Sequence, residues 1–132
     1  MNEDFVTYEQ AKALKELGFD WGCNHYYHIR DEGRNTYFSY YGNHNDGRSR
    51  KKVSAPILSQ VQKWLREKEI EVGVFGEFDG ELRTEKWVWL MRKFNTHLYD
   101  TVFSEGINYD TYEQALSAGI DKALEQLKTT KQ

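Results

Sequence analysis

The chain has 132 residues and a mass of 15.7 kDa, which is typical of one folded domain, and its 39% hydrophobic and 15% aromatic residues exclude wholesale disorder. No apolar run approaches the roughly 20 residues of a membrane helix, and the acidic residues 1–4 predict no secretory signal. The net charge of −3 argues against a general nucleic-acid binder, and the single cysteine, Cys23, predicts a reducing, cytoplasmic location.

The first predicted element is a helix over residues 7–17. Thr7 and Gln10 have the spacing of a capping box, in which each side chain bonds to the backbone N–H of the other residue. Apolar residues then recur at three-residue steps along one face. Gly18 suits the left-handed conformation in which many helices end.

A basic hairpin is predicted next. Residues 25–30 and 35–41 have the composition of strands and flank a polar turn at 31–34, and residues 43–52 are predicted as an exposed loop. Residues 21–53, which we call the insert, carry six Lys or Arg and three acidic residues. The insert thus has a net charge of +3, whereas the segments before and after it each have a net charge of −3.

A second helix is predicted over residues 56–67. Pro56, the only proline, occupies its first turn, where the missing N–H has no helical partner to lose. Ile57, Val61 and Trp64 follow at helical spacing, which predicts a buried face.

Three antiparallel strands are predicted to follow this helix. Apolar and polar residues alternate over residues 70–74, which indicates a half-buried strand, and Asp79–Gly80 is a hairpin turn. Residues 85–91 are heavily apolar and predict a central strand. A turn at Asn95–Thr96 and a third strand over residues 97–103 complete the set.

Three tryptophans accompany these elements. Trp87 and Trp89 alternate along one strand and lie on one face, and with Trp64 they are predicted to belong to the core. If they were exposed instead, they would form a surface for self-association, so a homo-oligomer is the alternative.

The last helix is predicted over residues 111–127. Residues 111–115 repeat residues 7–11 letter for letter, as Thr-Tyr-Glu-Gln-Ala. Because nothing beyond the helix start repeats, a shared capping signal explains the match better than a duplication. Gly119 weakens the helix by about 1 kcal/mol relative to Ala, or lets another element approach closely.

These elements predict an α+β fold in the order α-β-β-α-β-β-β-α, with a mainly antiparallel sheet of three to five strands covered by three helices. We expect one domain over residues 1–132 with the insert at 21–53. The order helix, three strands, helix is also that of the double-stranded RNA-binding domain. That module needs basic residues at the start of its second helix, whereas this helix begins with Asp110 and Glu113, so general binding of double-stranded nucleic acid is not expected.

The insert is the strongest candidate for a binding surface. Tyrosine rings stack on bases, and Arg and Lys side chains pair with phosphates and carboxylates. The insert therefore suits a nucleotide, a short single strand or an acidic protein. The alternative is that it binds nothing, with the tyrosines packing in the sheet and the basic run forming a solubilising loop. The candidate ligand-binding residues are Tyr26, Arg30, Arg34, Tyr37, Tyr40, Tyr41, Arg48, Arg50, Lys51 and Lys52.

A chemical role for the histidines has weaker support. Cys23, His25 and His28 are metal-ligand types, but the spacing puts His28 on the opposite face of a strand from the other two residues. A small phosphodiesterase or nuclease acting through His25, His28 or His44 is the enzyme alternative, although no catalytic constellation is complete. The sequence has no P-loop, dinucleotide fingerprint or nucleophile elbow, so we expect no catalytic residue, metal or cofactor.

Three segments carry a resemblance to a known group of proteins. They are FVTYEQAKALKELGF at residues 5–19, SAP with QVQKWLRE within residues 54–67, and YEQAL at residues 112–116. In these segments the chain resembles small uncharacterised proteins encoded by phages and prophages of gut bacteria. That group has no assigned activity, so the resemblance implies a phage-related setting, in the cytoplasm of the host cell, and no particular reaction.

The functional expectation is a non-enzymatic binding protein. In the phage setting that the resemblance implies, one partner class is a host protein bound through the aromatic surface. The other is a nucleotide-type signal sequestered by the insert, as a counter-defence sponge would do.

Overall fold

The computed structural model describes residues 4–47, 51–79, 84–93, 101–104 and 107–131. The chain divides into two compact units, one holding Met1–Ile57 with Thr130–Gln132 and the other Leu58–Thr129. The α+β class and the mainly antiparallel pairing are confirmed. The strands lie in two three-stranded sheets, one in each unit. That residues 1–132 form a single domain stays a prediction.

The first unit consists of one helix and one sheet. Its elements are α1 (Tyr8–Glu16), β1 (Cys23–His28), a short 3-10 turn (Ile29–Asp31), β2 (Thr36–Gly42) and β3 (Lys52–Ser54). The sheet order is β2-β1-β3 with antiparallel pairing throughout, so β1 is the middle strand.

The predicted capping box at the start of α1 is confirmed. The Gln10 amide donates to the Thr7 hydroxyl over 3.1 Å, and the Thr7 amide donates to the Gln10 side-chain oxygen over 2.8 Å. Gly18 follows the helix with φ +90, as expected for a residue that ends it. The helix buries Ala11 and Leu14 completely.

The segment around β3 differs from the prediction in two ways. The predicted exposed loop at 43–52 ends in a strand that the sequence analysis missed, and His44 within it is buried. The second helix begins at Leu58 and not at residue 56, because Pro56 lies in an extended segment whose carbonyl accepts a hydrogen bond from the Val6 amide over 3.1 Å. Ile57 therefore forms a bridge with Phe5 and is half exposed, outside the buried helix face.

The second unit has two helices and the second sheet. Its elements are α2 (Leu58–Glu67), β4 (Ile70–Asp79), β5 (Thr84–Lys93), β6 (Thr101–Phe103) and α3 (Tyr112–Lys131) up to Thr129. The order β4-β5-β6 confirms the strand predicted over residues 85–91 as the central one. Some predicted features lie outside the described residues. These are Gly80 of the predicted turn at Asp79–Gly80, the whole turn at Asn95–Thr96, and residues 97–100 of the third strand.

The core of the second unit lies on one face of its sheet. Val72 pairs with Met91 and both are buried, and Trp64 and Trp89 are buried as predicted. Trp87 is only half buried, and its ring packs edge-on against Tyr112 at 5.5 Å between centroids. The last helix runs to Lys131, four residues beyond the predicted end at Leu127. Among the described residues, no helix is long and apolar enough to cross a membrane.

Candidate binding surfaces of the first unit

Three of the predicted binding residues meet on one face of the first sheet. Tyr26 pairs with Tyr37 across β1 and β2, and their rings stack with centroids 5.5 Å apart and planes inclined by 19°. Lys52 pairs with His28, two residues further along β1, and therefore shares this face. Its Nζ lies 4.5 Å from the centre of the Tyr26 ring, a cation–π contact.

Two histidines that were weighed only as metal or catalytic residues complete this aromatic cluster. The His28 ring lies edge-on to Tyr37 at 5.1 Å and to Tyr26 at 5.5 Å. The buried His44 lies 5.2 Å from Tyr26 and 5.9 Å from Tyr40, between ring centroids. Alternation along β1 already places Tyr26 and His28 on one face, so this part of the cluster was accessible from the sequence.

Among the residues that the structure describes, the most exposed aromatic side chains belong to β2, an edge strand of the sheet. Phe38, Tyr40 and Tyr41 are 76%, 79% and 68% exposed. Phe38 was not among the predicted site residues. The pairing of β1 with β2 is irregular between Cys23 and His25, so β2 bulges where Tyr40 and Tyr41 lie.

The predicted basic residues are only partly brought together. Arg30 lies in the 3-10 turn, Arg34 in the turn before β2, and Lys51 directly before β3, and all three are exposed. Arg48 and Arg50 lie outside the described residues. No ion pair within the described part of the chain involves Arg30, Arg34, Lys51 or Lys52.

One carboxylate of the hairpin is already engaged. Asp31 accepts hydrogen bonds from the Tyr37 hydroxyl over 2.9 Å and from the Gly33 amide over 3.1 Å. Desolvation works to raise the pKa of Asp31, but these hydrogen bonds, with the Asn35 side chain and the nearby His28, outweigh it and hold the pKa below its usual value. The same contact with Asp31 raises the pKa of Tyr37.

The cysteine and the histidines do not gather around one point. The Cys23 thiol is buried, which raises its pKa, and it donates to the His25 carbonyl over 3.2 Å. His25 packs between Phe5 and Phe38, whereas His28 packs on Tyr26 and Tyr37. Among the residues that the structure describes, no three His, Cys, Asp or Glu side chains are placed to hold a metal ion.

A cleft of about 470 Å³ opens on the other face of the hairpin, where Tyr27 lies. Gly33 has φ +74 and lies directly against the Tyr8 ring, where a Cβ would collide, so the turn approaches α1 closely. The lining residues are Phe5, Thr7, Tyr8, Tyr27, Gly33, Arg34, Asn35 and Thr36. Of these, only Arg34 was predicted as a binding residue.

Comparison of the chain with protein-family models, with curated proteins and with solved structures finds no match.

Proposed function

We propose that the protein is a non-enzymatic binding protein that recognises an acidic partner protein through the edge of β2. The observation that carries the proposal is the exposure of Phe38, Tyr40 and Tyr41 on one edge strand. Aromatic residues are enriched at protein interfaces and contribute much of the binding energy there. Exposed aromatic side chains outside the core are therefore candidates for contact with a partner.

The edge of β2 is suited to pairing with an extended segment. A strand at the edge of a sheet has one row of N–H and C=O groups without a neighbouring strand, and an extended peptide can add to that row. Natural edges are usually protected by charged side chains or proline. The seven residues Thr36–Gly42 contain neither. Because β2 bulges after Phe38, we expect an extended segment to pair with its regular part, Thr36–Phe38.

The charge around the strand favours an acidic partner. Arg30, Arg34, Lys51 and Lys52 have no ion-pair partner among the described residues, and Asp31 is engaged by Tyr37. Carboxylates of a partner would find these unpaired cations at the turn end of the hairpin, where Arg34 precedes β2 and Lys52 pairs with His28. In the phage setting that the resemblance implies, that partner is a host protein.

The enzyme alternative has less support. A histidine-dependent phosphodiesterase or nuclease needs side chains that converge on one reacting group. Here His25 packs between two phenylalanines, and His44 uses its Nε2 in a 3.1 Å hydrogen bond with the Cys23 carbonyl. His25 and His44 thus have structural neighbours that account for their positions, and His28, whose buried Nδ1 has no hydrogen-bond partner among the described residues, packs against Tyr26 and Tyr37.

The proposal is tested by selecting binders from a library of extended random peptides displayed on phage. We expect the selected peptides to be rich in Asp and Glu and to bind less tightly at higher salt concentration. Replacing Phe38 and Tyr40 by Ser should weaken binding about a hundredfold or more, because aromatic anchors buried at an interface contribute about 2 kcal/mol or more each.

Phe75→Ser is the matched control, since Phe75 is a 52% exposed phenylalanine on a strand of the other unit. It should leave peptide binding unchanged. The proposal fails if no peptide is selected, if the selected peptides are not acidic, or if both variants bind equally well. It also fails if sedimentation shows a dimer that the β2 variant dissolves, because the occupant of the edge is then a second copy of the chain.

A further inference from the structure

We infer that the cleft between the start of α1 and the turn before β2 binds a small aromatic anion of mononucleotide size. This site shares Arg34 and Thr36 with the surroundings of β2, but it lies apart from Phe38 and Tyr40 and does not depend on the proposed function. From the sequence alone, a nucleotide-type ligand is expected to bind the insert as a whole. We infer that such a ligand binds at Arg34 and the aromatic walls beside it.

The size and walls of the cleft suit a planar ligand. Its volume of about 470 Å³ lies within the range of roughly 300–1,000 Å³ that is common for small-molecule sites. Phe5, Tyr8 and Tyr27 supply aromatic surface, and polar side chains occupy the side formed by the turn. Apolar walls with a few polar groups on one side are typical of sites that orient one end of a ligand.

The walls are held in place by bonds within the protein. The Tyr27 hydroxyl donates to the Val6 carbonyl over 2.6 Å, and its ring lies edge-on to Tyr8 at 5.7 Å. The Thr7 hydroxyl accepts the capping bond from Gln10. Because these groups are engaged, we expect ligand polar groups to be recognised mainly by the turn, through Arg34 and Thr36.

The charge of the lining indicates an anion. Arg34 is the only charged side chain among the lining residues, and no ion pair within the described residues involves it. A guanidinium presents several N–H donors in a plane and pairs well with phosphate or carboxylate. The nearby Asp31 accepts hydrogen bonds from Tyr37 and Gly33 and makes no ion pair with Arg34 among the described residues. An aromatic ring lying against Phe5 and Tyr8, with its anionic group at Arg34, satisfies both parts of the cleft.

The experiment is calorimetric titration of the whole chain with the common ribonucleoside 5′-monophosphates, with the matching nucleosides and with inorganic phosphate. We expect at least one monophosphate to bind more tightly than its nucleoside and than phosphate alone. Arg34→Gln should weaken that monophosphate about tenfold or more, since a hydrogen bond to a charged group contributes about 1.5–3 kcal/mol. The binding of the nucleoside should change little.

Arg30→Gln is the matched control, because it removes the same charge from the same hairpin at an exposed residue outside the cleft lining. It should leave monophosphate binding within about twofold, the small change typical of a screened surface charge. Equal weakening by both variants would show general attraction to a basic surface and overturn the inference. Binding of no monophosphate, or binding of phosphate alone as tightly as of the nucleotide, would also overturn it. Phe38→Ser with Tyr40→Ser should leave nucleotide binding intact, which separates this site from the β2 edge.

Discussion

The hydroxyl of Tyr27 donates a hydrogen bond to the carbonyl oxygen of Val6 over 2.6 Å, which ties the middle strand of the first sheet to the segment before α1. Both residues are buried, and burial raises the pKa of the phenol. The bond therefore joins two groups that have little access to water, and the loss of either one leaves the other unpaired.

Tyr27→Phe should lower the free energy of unfolding by about 1–3 kcal/mol, because the Val6 carbonyl then lacks its donor in a buried position. Chemical denaturation followed by circular dichroism measures the change. Tyr40→Phe is the control, since its ring is 79% exposed, and it should change stability by less than about 0.5 kcal/mol. Equal stability of the two variants would contradict the importance of the bond.

Gly119 is expected to be intolerant of a larger side chain. A Cβ at this position would lie 2.7 Å from Cγ1 of Val72 and 3.1 Å from Cβ of Trp89, both buried. Gly119→Ala gains about 1 kcal/mol of helix propensity, but overpacking costs about 1–3 kcal/mol. We therefore expect a net loss of stability in thermal or chemical unfolding.

Lys128→Ala is the control for Gly119, because Lys128 lies on the same helix and is exposed. It should leave the midpoint of unfolding nearly unchanged. A Gly119→Ala variant more stable than the parent chain would show that α3 does not approach the sheet as closely as described.

The contact between Asp31 and Tyr37 should be visible in the response to pH. Because the folded-state pKa of Asp31 is lowered, the ionised carboxylate stabilises the folded state above its ordinary pKa of 3.8. That contribution is lost as the pH falls through the lowered pKa. Tyr37→Phe should move the pKa of Asp31 upward, toward its ordinary value, in a carbon-detected NMR titration of the carboxyl group.

Tyr41→Phe serves as the control for this titration, since no hydrogen bond links Tyr41 to Asp31 within the described residues. It should leave the pKa of Asp31 where it is. An unchanged pKa in Tyr37→Phe would contradict this role of Tyr37 and would leave the lowered value to the Gly33 amide, the Asn35 side chain and the nearby His28.

The fold class was predictable because local signals were strong. The capping residues Thr7 and Gln10 predict the start of α1, and the apolar run at 85–91 predicts β5. Both signals are local and need no contact with distant parts of the chain. The start of α2 was misplaced because Pro56 and Ile57 also fit a helix pattern, while their pairing with Val6 and Phe5 is a contact across fifty residues. The three-residue β3 was missed because so short a strand has no periodicity to detect.

The candidate site was predictable only in part. Alternation along β1 and the basic composition of the insert pointed to Tyr26, Lys52 and their neighbours. The cleft could not be predicted, because Tyr8 and Arg34 meet only where Gly33 lets the turn approach the helix. No spacing rule connects residues that tertiary packing alone brings together.

The exposed strand β2 has a consequence for how this protein can change over evolutionary time. Phe38, Tyr40 and Tyr41 are mostly in contact with solvent, so their replacement removes little of the packing that keeps the sheet folded. Selection can therefore act on these positions for recognition almost independently of foldability. Related chains could therefore adapt to a changed partner through substitutions at these three positions, while the sequences of β1, β3 and α1 remain the same.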